Sequence, residues 1–173
     1  LVSLRRNEDA VAVFARLDET GTDQPAPVLT NWGTALQRLG RNEEARGKYD
    51  AALRSDPDHV PALNNLGLML AQPGSEAERE RGVTLLEAAL RQRPGDPVKL
   101  HNVGWAYLQT GRPTEAYSLL LRAVAATDEA DPRRKEREGT LEQARAALPS
   151  RAAPADAPNI LLVALDTLRA DHM

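Results

Sequence analysis

Three stretches with the same pattern, NWGTAL at 31–36, NLGLML at 65–70 and NVGWAY at 102–107, organise the middle of the chain. Their glycines are 34 and then 37 residues apart. Two other series of small residues also have one spacing of 34 residues and one of 37. The agreement indicates an internal repeat of about 34 residues, with an insertion in the stretch SEAERE. The other two series are Gly40, Gly74 and Gly111, and Ala52, Ala89 and Ala123.

Each repeat has the apolar spacing of two helices. In the first repeat Leu29, Trp32 and Leu36 recur at intervals of three and four residues, which predicts a helix over 28–39. Gly40 is expected to end this helix, because glycine is favoured just after helix termini. The same arrangement recurs in the other repeats, so the predicted fold class is all-α.

The second helix of the first repeat is expected to follow a cap at Asn42 and to run to Arg54. Its small residue Ala45 is expected to face Gly33, since a glycine inside a helix is tolerated where a partner helix approaches closely. In the middle repeat Gly82 takes the place of that alanine. Three large residues are expected to fill the groove between successive repeats: Tyr49, Leu86 and Leu120.

The composition limits the classes of function. The formal net charge of −3 gives no general electrostatic reason to bind nucleic acid. No apolar run approaches the roughly 20 residues that span a bilayer. The chain has no cysteine, and its three histidines are not at metal-ligand spacing. For this chain we therefore predict no nucleic-acid partner, no membrane segment, no cofactor and no catalytic residues.

The repeats resemble tetratricopeptide repeats over about 26–127. The resemblance implies a right-handed solenoid of helix-turn-helix units that binds a protein or peptide on its concave face. The residues that carry the family pattern in the first repeat are Trp32, Gly33, Leu36, Ala45, Tyr49, Ala52 and Pro57.

The resemblance also predicts how the chain is organised. A capping helix is expected at its end, with Leu141, Ala144 and Leu148 facing inward, because repeat arrays need a hydrophilic terminal helix. Since the chain starts within a repeat, we expect a fragment whose cut ends could self-associate. The predicted units are the second helix of an upstream repeat at 1–25, repeats at 26–59, 60–96 and 97–130, and the capping helix at 131–148.

The first helix of each repeat is implied to line the concave face. The equivalent residues Asn31, Asn65 and Asn102 could bond a peptide backbone, and the alternative is that they bond neighbouring helices. Trp105 is the predicted main contact, with a packing role as its alternative. The predicted peptide-binding residues are Asn31, Thr34, Arg38, Asn65, Leu68, Gln72, His101, Asn102, Trp105 and Gln109.

The end of the chain changes character. A Pro/Ala-rich linker at 149–158 leads into a continuous apolar run at 160–165, the pattern of a strand buried on both faces. Asp166 follows the run directly, and an aspartate at the carboxyl edge of a parallel sheet can hold a divalent cation. The alternative is an ordinary buried strand followed by a solvated aspartate.

The stretch PNILLVALDTLRADHM (158–173) is similar to the opening strand of sulfatases and related hydrolases of the alkaline phosphatase superfamily. The resemblance implies a truncated α/β domain at 159–173, in which Asp166 would bind the catalytic metal (Ca, Mg, Mn or Zn) of a longer parent. Thr167 stands where many sulfatases have a second aspartate, so a phosphodiesterase-like or phosphonate hydrolase-like parent stays open.

Two functions are consistent with the whole sequence. The first is a protein-interaction scaffold that forms the N-terminal accessory region of a sulfatase-type metal-dependent hydrolase. The alternative is a stand-alone adaptor without associated enzyme activity. The compartment of what we take to be a bacterial protein stays open, a periplasmic or membrane-anchored parent included.

Overall fold

A computed structural model of the protein describes residues 2–149 except for residues 20, 22 and 73. Within these residues the chain forms eight α-helices and no strand, which confirms the all-α prediction. The apolar run at 160–165, Asp166 and all of the linker after Pro149 lie outside the described residues. The helices are α1 (Val2–Asp18), α2 (Ala26–Arg38), α3 (Asn42–Ser55), α4 (Val60–Leu70), α5 (Glu76–Gln92), α6 (Pro97–Gln109), α7 (Pro113–Ala125) and α8 (Arg134–Ala147).

The helices pack as consecutive pairs, α2 with α3, α4 with α5 and α6 with α7, with α1 against α2 and α8 against α7. We call α2, α4 and α6 the A helices, and α3, α5 and α7 the B helices. Backbones of successive A helices come within 8 Å of one another, as do those of α6 and α8. No two described B helices approach this closely. The array therefore curves toward the A helices, which form its inner face.

Local signals explain where most helices begin. Pro27 lies in the first turn of α2, where its missing N–H costs nothing, so this helix starts two residues before the predicted 28. At α6 the carboxylate of Asp96 accepts hydrogen bonds from the backbone N–H of Val98 at 2.8 Å and of Lys99 at 3.3 Å. These bonds satisfy N–H groups that have no partner inside the helix.

The predicted cap at Asn42 is wrong. Gly40 adopts a φ of 75°, and the backbone N–H of Arg41 then donates to the carbonyl of Leu36 at 3.0 Å. Because of this tight turn, α3 begins one residue earlier than predicted, at Asn42. Arg41 precedes the helix, and its side chain makes no capping hydrogen bond.

The three-residue insertion lengthens α5. This helix has 17 residues, whereas α3 has 14 and α7 has 13. Ser75 and Glu78 cap its start reciprocally: the hydroxyl of Ser75 accepts from the backbone N–H of Glu78 at 3.2 Å, and the carboxylate of Glu78 accepts from that of Ser75 at 3.3 Å. The insertion is thus accommodated as almost one helical turn at the exposed end of the helix.

Glycines allow the two helices of a repeat to approach closely. A β-carbon at Gly67 would lie 2.7 Å from Cγ of Leu86, and one at Gly104 would lie equally close to Cγ of Leu120. Gly82 is more constrained still, since its β-carbon would lie 2.8 Å from the carbonyl oxygen of Gly67. The helix-propensity cost of these glycines is therefore offset by packing.

The large B-helix residues also connect successive repeats. Tyr49 belongs to one buried cluster with Leu66 of the next A helix, and Leu120 shares a cluster with Ala144 of α8. The prediction that these side chains fill the grooves between repeats is confirmed. Burial of such apolar surface against the next unit is what joins the repeats of a solenoid.

Long charged side chains bridge successive B helices. Arg46 of α3 pairs with Glu78 of α5 at 2.8 Å, and Asp50 pairs with Arg81 at 2.5 Å. Arg112, just before α7, pairs with Glu80 of α5. The outer side of the array is therefore joined by ion pairs across gaps that the backbones do not close.

The last described helix packs against the third repeat. Ala144 is buried and Leu141 packs beside it, as predicted, and both Leu141 and Leu148 are half-buried. The sequence pattern did not predict that Arg137 would be 3% exposed, donating to the hydroxyl of Thr127 at 2.9 Å. None of the helices described here is both long enough and apolar enough to cross a membrane.

Candidate functional site

The predicted site residues recur at fixed repeat positions on the inner face. Together with Thr30 and Asn64, the equivalents of His101 in the other repeats, they form four columns, each with one residue from each repeat. The columns are Thr30, Asn64 and His101 (first column); Asn31, Asn65 and Asn102 (asparagine column); Thr34, Leu68 and Trp105 (central column); and Arg38, Gln72 and Gln109 (outer column).

The asparagine column is partly used in contacts between A helices. Asn65 donates from Nδ2 to the hydroxyl of Thr34 at 3.3 Å. Asn102, which is 9% exposed, donates from Nδ2 to Oδ1 of Asn64 at 2.7 Å. Asn31 is exposed, and no hydrogen bond joins its side chain to another described residue. The structure thus gives Asn65 and Asn102 partners on neighbouring helices and leaves the amide of Asn31 open.

A chain of polar contacts continues from these asparagines. Asn64 donates to Oδ1 of Asn65 at 3.3 Å, which links two columns on α4. The hydroxyl of Tyr49 lies 3.3 Å from Oγ1 of Thr34 and 2.9 Å from Oε1 of Gln37. Burial raises the pKa of Tyr49. Sequence reasoning placed Asn64 on the inner face but did not predict its bonds to other asparagines, and it missed Gln37 and the hydroxyl of Tyr49 as polar partners.

His101 is covered by α8. Its Nε2 lies 3.1 Å from the hydroxyl of Thr140 on α8, and that hydroxyl in turn donates to the carbonyl of Glu136 at 3.1 Å. Because the hydroxyl proton is used by Glu136, Thr140 is an acceptor for an Nε2–H of His101. Burial lowers the pKa of His101; the charge of Arg137 lowers it further, and that of Glu136 opposes both. The histidine is therefore a contact between helices.

The central column changes from polar to apolar along the array. Thr34 lies in the polar chain, whereas Leu68 and Trp105 are half-buried against the core between the second and third repeats. A half-buried tryptophan combines a fixed ring with exposed apolar area, as in side chains that dominate protein interfaces. Packing and ligand contact are thus compatible roles for Trp105.

The outer column is the most open part of the inner face. Arg38, Gln72 and Gln109 are all exposed, and the described structure gives none of their side chains a hydrogen bond or ion pair. Together they offer one guanidinium and two carboxamides at the same position of three successive repeats. Such groups donate hydrogen bonds to backbone carbonyl or carboxylate oxygens.

Metal binding has no support among the residues that the structure describes. No three His, Asp or Glu side chains come together there in a way that could hold an ion. Asp166, the metal ligand implied by the hydrolase resemblance, lies outside the described residues.

Family comparison agrees with the geometry. The tetratricopeptide repeat family matches residues 30–97 in one form and residues 100–135 in another. This chain is a tetratricopeptide-repeat protein. Neither match extends to the stretch at 158–173 that is similar to sulfatases.

Two curated relatives contain regions similar to this tetratricopeptide-repeat protein. One is a Protein CTR9 homolog from Arabidopsis thaliana, 26% identical over 122 residues, or 70% of this chain and 11% of the relative. The other is the peroxisomal targeting signal receptor of Eremothecium gossypii, 30% identical over 87 residues, or 50% of this chain and 15% of the relative. The chain thus spans only a small part of either relative.

Solved structures show the same architecture. MamA from Desulfovibrio magneticus, residues 41 to the end, superposes with a TM-score of 0.63 over 98% of this chain and 91% of that one. The two sequences are 19% identical, so this likeness supports the fold of the tetratricopeptide-repeat array.

Proposed function

We propose that the inner face binds an extended segment of a partner protein. The observation that carries the proposal is the outer column, where Arg38, Gln72 and Gln109 stay exposed and unpaired within the described structure at one position of three repeats. A regular row of donors suits a peptide backbone, whose carbonyl groups are also regularly spaced. The proposed activity is protein interaction without catalysis.

Specific side chains would supply the affinity. Trp105 and Leu68 provide the apolar contact. Each is half-buried and precedes a residue of the outer column by four positions, which is about one helical turn. The open amide of Asn31 extends the row of donors at the first repeat. Asn65, Asn102 and the other members of the polar chain would hold the A helices in register rather than contact the ligand directly.

A peptide selection tests this proposal. Peptides selected from a random display library on the immobilised chain would be labelled, and their dissociation constants measured by fluorescence anisotropy. We expect Trp105→Ala and Arg38→Ala each to weaken binding about tenfold, typical of an interface hot spot. Leu121→Ala is the matched control, because Leu121 is an exposed apolar residue on a B helix. Unchanged affinity in both inner-face variants would exclude the inner face as the binding site.

A second candidate function rests on the C-terminal sequence. The resemblance of 158–173 to sulfatases favours an array that serves as the accessory region of a metal-dependent hydrolase, with Asp166 among the metal ligands. Bound metal would supply a Lewis acid for ester hydrolysis. The repeats alone fit the stand-alone adaptor equally well.

Sequencing the gene beyond Met173 distinguishes these two functions. A continuing frame that encodes a nucleophile and further Asp and His metal ligands would support the accessory role. A stop codon directly after Met173 would contradict it and leave the adaptor.

A further inference from the structure

Two surface grooves lie between successive B helices, and no residue of the four columns lines either of them. The first, of about 350 Å³, lies where α3, α4 and α5 meet, and the second, of about 410 Å³, lies where α5, α6 and α7 meet. We call them seam groove 1 and seam groove 2. Their apolar linings are Leu53, Pro57, Leu63 and Leu85 in seam groove 1, and Leu90, Pro94, Val103 and Leu119 in seam groove 2.

The repeat builds the same groove twice. Leu53 and Arg54 of seam groove 1 correspond to Leu90 and Arg91 of seam groove 2, each 37 residues later. The acidic residues at the edge, Asp50 and Glu87, are also 37 residues apart, and so are the prolines after the B helices, Pro57 and Pro94. A partner that recognises one groove would therefore find a second of similar shape in the next repeat.

The acidic groups of the grooves already have partners within the protein. Asp50 pairs with Arg81 at 2.5 Å, and the carboxylate of Glu87 accepts a hydrogen bond from the hydroxyl of Tyr107 at 2.7 Å. In contrast, the equivalent residues Arg54 and Arg91 are exposed and have no ion pair or hydrogen bond with a described residue. Each groove thus combines an apolar floor with one guanidinium that has no partner in the described structure.

We propose that the seam grooves bind an acidic segment of a partner protein that also carries apolar side chains. An apolar side chain would occupy the floor, and a neighbouring carboxylate would pair with Arg54 or Arg91. Arginine suits this role because its planar guanidinium can bind a carboxylate through two parallel hydrogen bonds. The net charge of the chain is −3, so the attraction is local to these rims. This surface is separate from the inner face and does not rest on the function proposed for it.

Two pools of synthetic peptides test the proposal. In the acidic pool, random Leu, Ile or Phe alternates with random Asp or Glu; in the basic pool, Lys or Arg replaces the acidic residues. We expect the immobilised full chain to retain the acidic pool preferentially. We also expect Arg54→Glu and Arg91→Glu each to remove one of two equivalent sites, and the double variant to weaken binding of the retained peptides at least tenfold. Equal retention of both pools, or no effect of either substitution, would overturn the proposal.

Charge reversal elsewhere on the chain provides the control. Arg93→Glu changes the net charge by the same amount as Arg91→Glu, but Arg93 does not line seam groove 2, so we expect binding to persist. Arg38→Glu separates the two surfaces. Loss of the acidic peptides with Arg38→Glu but not with the double variant Arg54→Glu/Arg91→Glu would place them on the inner face and contradict the seam grooves. Circular dichroism would verify that each variant is folded.

Discussion

The side chain of Tyr49 lies directly against the backbone of Gly33. A β-carbon at Gly33 would come within 2.6 Å of Cε1 of the tyrosine ring. The ring has no exposed surface, and its hydroxyl lies 2.9 Å from Oε1 of Gln37, so it is held from both ends. The distance between the two helices of the first repeat is therefore matched to the absence of a side chain at Gly33.

We expect Gly33→Ala to destabilise the protein by about 1–3 kcal/mol, because overpacking a filled core outweighs the gain in helix propensity. The matched control is Gly47→Ala in α3, where no atom lies within 4 Å of the added β-carbon. That substitution should stabilise the protein by up to about 1 kcal/mol. Urea denaturation followed by circular dichroism measures both effects, and a stabilised Gly33→Ala variant would refute the close-packing argument.

The lowered pKa of Asp131 predicts that the protein loses stability in acid. Hydrogen bonds from the side chain and backbone of Arg133 lower the pKa of Asp131 to about 2, and Arg137 contributes further. Since the native state favours the ionised carboxylate, its stabilising contribution is present at neutral pH and is lost as the pH falls from about 4 to about 2.

Urea midpoints measured across that pH range test the contribution of Asp131. Asp131→Asn cannot ionise, so its midpoint should fall less steeply in acid than that of the unsubstituted protein. Parallel pH profiles would show that the carboxylate does not contribute.

The raised pKa of Tyr107 predicts a loss of stability at alkaline pH. Burial, together with the hydrogen bond to Glu87, raises the pKa of Tyr107 to about 12. The unfolded phenol ionises near pH 10, so the contribution of Tyr107 to stability is lost as the pH rises through about 10 to 12. Glu87→Gln should lower this pKa, which an ultraviolet titration of phenolate absorbance would detect. Tyr107→Phe removes this phenol, so the phenolate absorbance that is missing from the titration of the variant belongs to Tyr107.

His101 connects the third repeat to α8, and we expect this contact to depend on pH. Burial lowers its pKa below the ordinary value of 6.5, so the unfolded chain binds a proton more readily. We expect stability to fall as the pH decreases below about 6.5, and to fall less in His101→Gln. If His101→Gln behaved like the unsubstituted protein, protonation of His101 would not contribute.

The fold could be predicted from sequence because its signals are local. Apolar residues at helical spacing and glycines at matching positions specify helix pairs without knowledge of their partners. The error at Asn42 arose from the turn itself, where Gly40 and the bond from Arg41 to Leu36 bring the next helix forward. A capping preference cannot reveal such a turn, which depends on backbone geometry beyond residue type.

The candidate site was predictable only in part. Repeat register placed its residues in columns, but which amides remain open depends on contacts between residues far apart in sequence. Asn102 bonds Asn64 because of how successive A helices pack, and Arg137 is buried because Thr127 and Asp131 surround its guanidinium. Residue type alone would place an arginine on the surface.

The pairing of Arg46 with Glu78, and of the other charges between B helices, has a mechanical consequence. In the described structure, successive B helices meet through these charged side chains, whereas successive A helices approach closely along their backbones and each B helix packs on the next A helix. Exposed ion pairs contribute at most about 1 kcal/mol each and are screened over about 8 Å at physiological ionic strength. We therefore expect salt to loosen the outer side of the array, so that small-angle X-ray scattering would record a small change in its curvature, while the buried apolar clusters keep the repeats joined.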